Sequence, residues 1–141
     1  MARIVVGVDG SPGSLAALAW AVDEARTRTA VVEAVHAWHV PYVDTSAFVA
    51  LSSDVDAMEA EAHAVLARAV AEVAHDGVVV DEVVRCASPA SVLVEEAKDA
   101  DLLVVGTRGH GGFAGLLIGS VSQQVTHHAP CPVVVVPTAP V

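Results

Sequence analysis

Short apolar runs of strand length alternate along the chain with longer segments whose apolar positions recur every three to four residues. The pattern predicts crossover units and a parallel sheet covered by helices on both faces, because a strand buried on both sides reads as a continuous apolar run. Arg3 to Val8 is the first such run, and it ends in Asp9-Gly10-Ser11-Pro12-Gly13-Ser14, where Ser11 or Ser14 can cap a following helix. That helix is expected over Leu15 to Arg28, with Leu15, Leu18, Ala19, Val22 and Ala25 along one side and Asp23, Glu24, Arg26 and Arg28 on the other. Val31 to Ala37 is the second strand, and Trp38 to Ser53, which has no sustained period, is a long loop.

A second helix is expected over Asp54 to His75, with Met58, Ala62, Val65, Leu66, Ala69 and Val73 on its apolar face and Gly77 as its stop. Val78 to Arg85 is a third strand whose polar interruption suits a sheet edge. Ser88 and Pro89 open a third helix, over Ala90 to Asp99, as N-cap and first helical residue. Asp101 to Val105 is the fourth strand, running into Gly106. A helix over Val121 to His128 and a fifth strand, Val133 to Val136, follow. The 141 residues amount to a single domain, 1–141, large enough to bury a core.

The apolar share is 54% but the aromatic share only 4%, and most of the apolar residues are Ala or Val. Ala-rich helices on Val-rich strands fit that composition. A net charge of −10 removes the broad basic footprint that nucleic acid or an anionic membrane requires. No apolar run approaches the ~18 residues of a membrane span, and Ile4 to Val8 is too short for the core of a signal peptide, so the chain is expected in the cytoplasm. Cys86 and Cys131 fit neither a metal-knuckle spacing nor a disulfide framework and are expected as buried thiols.

The chemistry concentrates in residues 106–122, GTRGHGGFAGLLIGSVS, which follow a buried strand and lead into a helix. At the carboxyl end of a parallel strand, a helix N-terminus offers free N–H groups and about half a positive charge to a phosphate, so an acidic chain can hold an anion with few lysines. Gly106 and Gly109 allow close backbone approach to a ligand, Gly119 and Ser120 form the helix start, and the hydroxyls of Ser120 and Ser122 are candidate phosphate donors. On composition alone the segment reads equally as a flexible connector capped by Ser120. There is no G-x-x-x-x-G-K-[ST] loop, the one lysine is Lys98, and no G-x-G-x-x-G follows the first strand.

The spacing Gly106-x-x-Gly109, nine residues, then Gly119-Ser120 resembles the G-2x-G-9x-G-(S/T) nucleotide signature of the universal stress protein family. Ile4 to Ser11 resembles that family's opening strand and turn, Ser88-Pro89-Ala90 its third helix start, and His127 to Pro132 with the four following valines its ending. The resemblance implies an α/β fold, an open five-stranded parallel sheet of order 3-2-1-4-5 with helices on both faces, and bound ATP with Mg²⁺. By carry-over, Asp9 contacts the nucleoside or helps position a metal, and Ala37 lines the adenine pocket. Gly106 and Gly109 approach ribose and phosphates, while Gly119, Ser120, Val121 and Ser122 hold the phosphate end. Two departures are local: Ala87 stands where many members carry glycine, and Ala37 where many carry valine.

Without that family context Asp9 reads as a turn or cap residue. Arg108 and His110 are the only candidates for phosphate-stabilising or basic groups in the glycine segment, too few for efficient phosphoryl transfer. His36 and His39 lack a third ligand for a metal, His127 and His128 suit the negative end of a helix, and no G-x-S-x-G elbow is present. The fifth strand, flanked by Pro132 and Pro137, presents an edge that a second copy can pair with, and the resemblance points to the same homodimer. The expected function is a nucleotide-dependent regulatory module with slow hydrolysis at most. Its rivals are an enzyme using ATP for phosphoryl or adenylyl transfer and a nucleotide-free dimerisation module.

Overall fold

A computed structural model describes residues 1–39, 54–107 and 119–138. In chain order these form β1 (Ala2–Gly7), α1 (Pro12–Arg28), β2 (Ala30–Trp38), α2 (Val55–Glu72), β3 (Val80–Cys86), α3 (Pro89–Glu96), β4 (Leu102–Gly106), α4 (Ser120–His128) and β5 (Val133–Val136). The five strands make one parallel sheet of order β3-β2-β1-β4-β5. Among the described residues no helix is long and apolar enough to cross a membrane.

Successive residues of each strand serve opposite faces, which splits the core in two. Ile4, Val6, Val32, Ala34, Leu102 and Val104 pack under α1 and α2 with Leu18, Val22 and Leu66. Val5, Val35, Leu103 and Val105 pack under α3 and α4 with Val92, Leu93 and Val125. The central strands carry buried apolar runs, Ile4–Val6 in β1 and Leu102–Val105 in β4, because both faces are covered, whereas β3 carries exposed Asp81, Glu82 and Arg85 at the sheet edge.

Several boundaries differ from the sequence expectation for local reasons. Helix α1 begins at Pro12, and its buried line includes Ala17 and Ala21 while Leu15 and Ala19 are half-buried, so small side chains bring the helix close to the sheet. Strand β2 continues through Trp38, which pairs with Cys86. Helix α2 stops at Glu72 because Val73 is already extended, and Gly77, at φ +80°, turns the chain into β3 instead of ending the helix. Helix α3 cannot reach Asp99, whose φ of +64° is left-handed. The cysteines are not both buried: Cys86 ends an edge strand and is exposed, and Cys131 is half-buried, its thiol pushed up chiefly by that burial.

Candidate functional site

In this strand order the succession of strands passes from one side of β1 to the other between β1 and β4, so the turns after these two parallel strands flank one crevice, the position where open parallel sheets bind ligands. After β1, Asp9 folds back on the start of α1: its Oδ1 accepts from the Ser11 N–H at 2.9 Å, and its own N–H donates to Ser14 Oγ at 3.2 Å. Ser11 is the N-cap, its hydroxyl accepting from the Ser14 N–H at 3.2 Å, and Ser14 Oγ donates to the Ser11 carbonyl at 3.0 Å. The left-handed Gly10 makes the turn possible, at φ +85°. Asp9 thus makes the turn, one of the two roles its sequence context suggested, while the cap is Ser11.

After β4 the arrangement differs. Gly119 is the N-cap of α4, so Ser120 is the first helical residue and not the cap. The Gly119 N–H donates to the Thr107 carbonyl, which closes the far end of the glycine segment onto the strand it left. The first intrahelical bond runs from Gln123 N–H to the Gly119 carbonyl at 3.0 Å, and Gly119 has no side chain with which to cap. Helix geometry thus leaves the N–H groups of Ser120, Val121 and Ser122 without intrahelical acceptors, at the positive end of the helix dipole.

Gly106 and Ser122 have internal duties that sequence alone did not disclose. A Cβ on Gly106 would lie 2.7 Å from the Gly13 carbonyl oxygen and 2.8 Å from its carbon, so glycine there lets the end of β4 abut the first turn of α1. Ser122 is buried and its hydroxyl donates to the Gly106 carbonyl, with the Thr107 carbonyl at 3.3 Å. A hydroxyl has one proton, so what Ser122 can offer a phosphate is its backbone N–H and not the hydroxyl foreseen as a donor. Ala37 lies on β2 opposite Arg85 and packs with the cluster under α3 and α4. Gly109, Arg108 and His110, and all of the expected 38–53 loop beyond His39, lie outside the described residues.

Sequence reasoning weighed His36 only as a metal ligand and did not find its structural bond: its Nδ1–H donates to the Val8 carbonyl at 2.8 Å and ties the ends of β2 and β1 together beside the crevice. A histidine inside an apolar strand run was the available signal, but its partner depends on strand register. A cavity of about 220 Å³ adjoins the Asp9 turn, lined by Asp9, Gly10 and Leu15 and, across from them, by Val65, Arg68, Ala69 and Glu72 of α2.

The comparisons with known proteins agree with this geometry. The chain is 42% identical over 136 residues to a universal stress protein of Mycobacterium tuberculosis, an alignment that takes in 95% of this chain and 45% of that protein. The chain thus spans about half the length of the curated relatives it matches. Among solved structures, a universal stress protein of Lactobacillus plantarum superposes with a TM-score of 0.81 at 27% identity, covering 96% of this chain and 97% of the other. A universal stress protein in complex with cAMP superposes with a TM-score of 0.64 at 29% identity, covering 98% of each chain. Residues 1–137 match the model of the family described by that name, and the chain belongs to the universal stress protein family.

Proposed function

We propose that the crevice between the β1 and β4 turns binds an adenine nucleotide, with ATP and Mg²⁺ as its working ligands, and that the chain is a cytoplasmic, nucleotide-dependent regulatory module. The observation that carries this reading is the start of α4: three backbone N–H groups without intrahelical acceptors, at the carboxyl end of a central strand and beside the switch point. The related structure in complex with cAMP supports the ligand class. In this reading the N–H groups of Ser120, Val121 and Ser122, with the close backbone of Gly119, hold phosphate, and Gly106 and Gly109 give the ribose and phosphates room. Asp9 meets the nucleoside or a metal from the opposite rim, and Ala37 belongs to the adenine side.

Hydrolysis is slow in this proposal because Arg108 and His110 are the only candidate cation and base in the glycine segment, too few for efficient phosphoryl transfer. The outer edge of β5 is the proposed homodimer contact, which predicts a dimer by size measurement at micromolar concentration. The test of the nucleotide reading is mass spectrometry of nucleotides released on denaturing the purified chain, paired with melting in the presence and absence of Mg-ATP. A ligand that binds only the folded state at a hundredfold excess over its Kd stabilises it by about 2.7 kcal/mol. Stoichiometric nucleotide and a melting shift abolished by Gly119→Val are expected. No nucleotide and no shift would overturn the reading, and multiple turnovers abolished by Asp9→Asn would replace it with an enzyme.

A further inference from the structure

A nucleotide brings several negative charges to a chain whose own net charge is −10, so a cation beside the crevice has a large effect on its binding. Most of the described arginines and lysines lie elsewhere. Arg3 stands at the start of β1, Lys98 beyond the end of α3, Arg26 and Arg28 in the last turn of α1, and Arg85 at the sheet edge with Glu96 as its partner. Arg68 is the exception among the described residues: with Val65 and Glu72 of α2 it lines the cavity of about 220 Å³ whose other wall is the Asp9–Gly10 turn. The other charged groups lining that cavity, Asp9 and Glu72, are carboxylates.

The helix carries this side chain towards the crevice. Strand β2 ends at the carboxyl end of the sheet and the parallel β3 begins at the opposite end, so α2 between them runs with its N-terminus on the crevice side. Val65 marks the level of the turn, since its Cγ1 is 3.5 Å from where a Cβ on Gly10 would stand. Helical side chains lean towards the N-terminus, and Arg68 reaches far enough for Nη2 to donate to Glu61 Oε1 at 3.1 Å, about two turns back. The guanidinium therefore lies between the levels of Arg68 and Glu61, alongside Val65 and the turn. Its pair with Glu61 is open to water, with side-chain exposures of 64% and 66%, and an ion pair so exposed is weak.

We propose, on the nucleotide reading above, that Arg68 is a phosphate-binding residue of this site and that Glu61 holds it when no ligand is bound. The phosphate chain on the N–H groups of α4 takes the guanidinium from Glu61 and is then held from both rims. Arginine suits the exchange, because its planar fork matches carboxylate and phosphate alike. The exchange selects for the charge of the ligand, so it favours ATP over adenosine.

Titration calorimetry with Mg-ATP and with adenosine, on wild type, Arg68→Gln, Glu61→Gln and the double variant, tests the assignment. Both positions are exposed on a helix and glutamine is a good helix former, so the variants should melt close to wild type without ligand. Arg68→Gln is expected to weaken Mg-ATP binding by about three- to tenfold and to leave adenosine binding unchanged. Glu61→Gln is expected to tighten Mg-ATP binding by up to about fivefold, the most that releasing an exposed pair supplies, and only while Arg68 is present. An Mg-ATP affinity unchanged in Arg68→Gln, or a loss that adenosine shares equally, overturns this inference and leaves nucleotide binding at α4 in place. A gain in Glu61→Gln that persists in the double variant also overturns it, being the loss of a repelling charge alone. Failure of the wild type to bind Mg-ATP overturns the nucleotide reading, and this inference with it.

Discussion

Two helices start at the same crevice, and their first turns are finished in different ways. At α1, Asp9, Ser11 and Ser14 satisfy one another through side chains and backbone, and Ser11 caps the helix. At α4 a glycine occupies the cap position, and among the described residues no side chain caps its first-turn N–H groups. An N-terminus already supplied with acceptors has little left to offer an anion, whereas one capped by glycine keeps its donors and dipole for a ligand. In the proposed reading the contrast favours binding at α4 over α1, and Gly106 brings the end of β4 against the first turn of α1 at Gly13.

Breaking the contact between the two turns has the largest expected effect. Gly106→Val drives side-chain atoms into the Gly13 backbone and should cost about 2–3 kcal/mol in urea unfolding, the upper part of the overpacking range, together with nucleotide affinity. Ser122→Ala comes next: the Gly106 carbonyl loses its buried donor, and a loss of about 1–2 kcal/mol is expected by the same measurement. Ser11→Ala removes the cap of α1 and should lower stability by about 1 kcal/mol, read as a lower melting temperature, with nucleotide affinity little changed.

Gly119→Asp sharpens the comparison most selectively. Gly119 is buried, but its backbone at φ −74° is in the extended region that an aspartate N-cap adopts, so the substitution offers α4 the kind of side-chain cap that α1 already has. Stability should hold or rise by about 0.3–1 kcal/mol, while titration calorimetry should show weaker nucleotide binding because a fixed carboxylate competes for the same N–H groups. Equal affinity in Gly119→Asp and wild type would show that the start of α4 is not the anion site.

Much of this arrangement was legible along the chain. Ser88 and Pro89 mark the start of α3 by cap and ring, the apolar runs Ile4–Val6 of β1 and Leu102–Val105 of β4 mark strands buried on both faces, and the polar break in β3 marks an edge. Ser11 was one of two legible caps for α1. The glycine spacing pointed to the segment between β4 and α4, but it could not say that Gly106 answers to Gly13 or that the Ser122 hydroxyl is consumed inside the chain. The expectation that both cysteines are buried failed because it took thiol preference as a guide where Cys86 sits at the end of an edge strand.

The division has a physical cause. Periodicity, caps and turn residues act through neighbours a few positions apart, so the amino-acid order by itself determined the elements, their sequence and the α/β class. Partnerships such as His36 with Val8, Arg3 with Glu33, and Ser122 with Gly106 join distant residues, and they depend on strand register and on which face each helix covers. Only the packed sheet decides those, since a one-residue slip of a strand would send every one of its side chains to the other face.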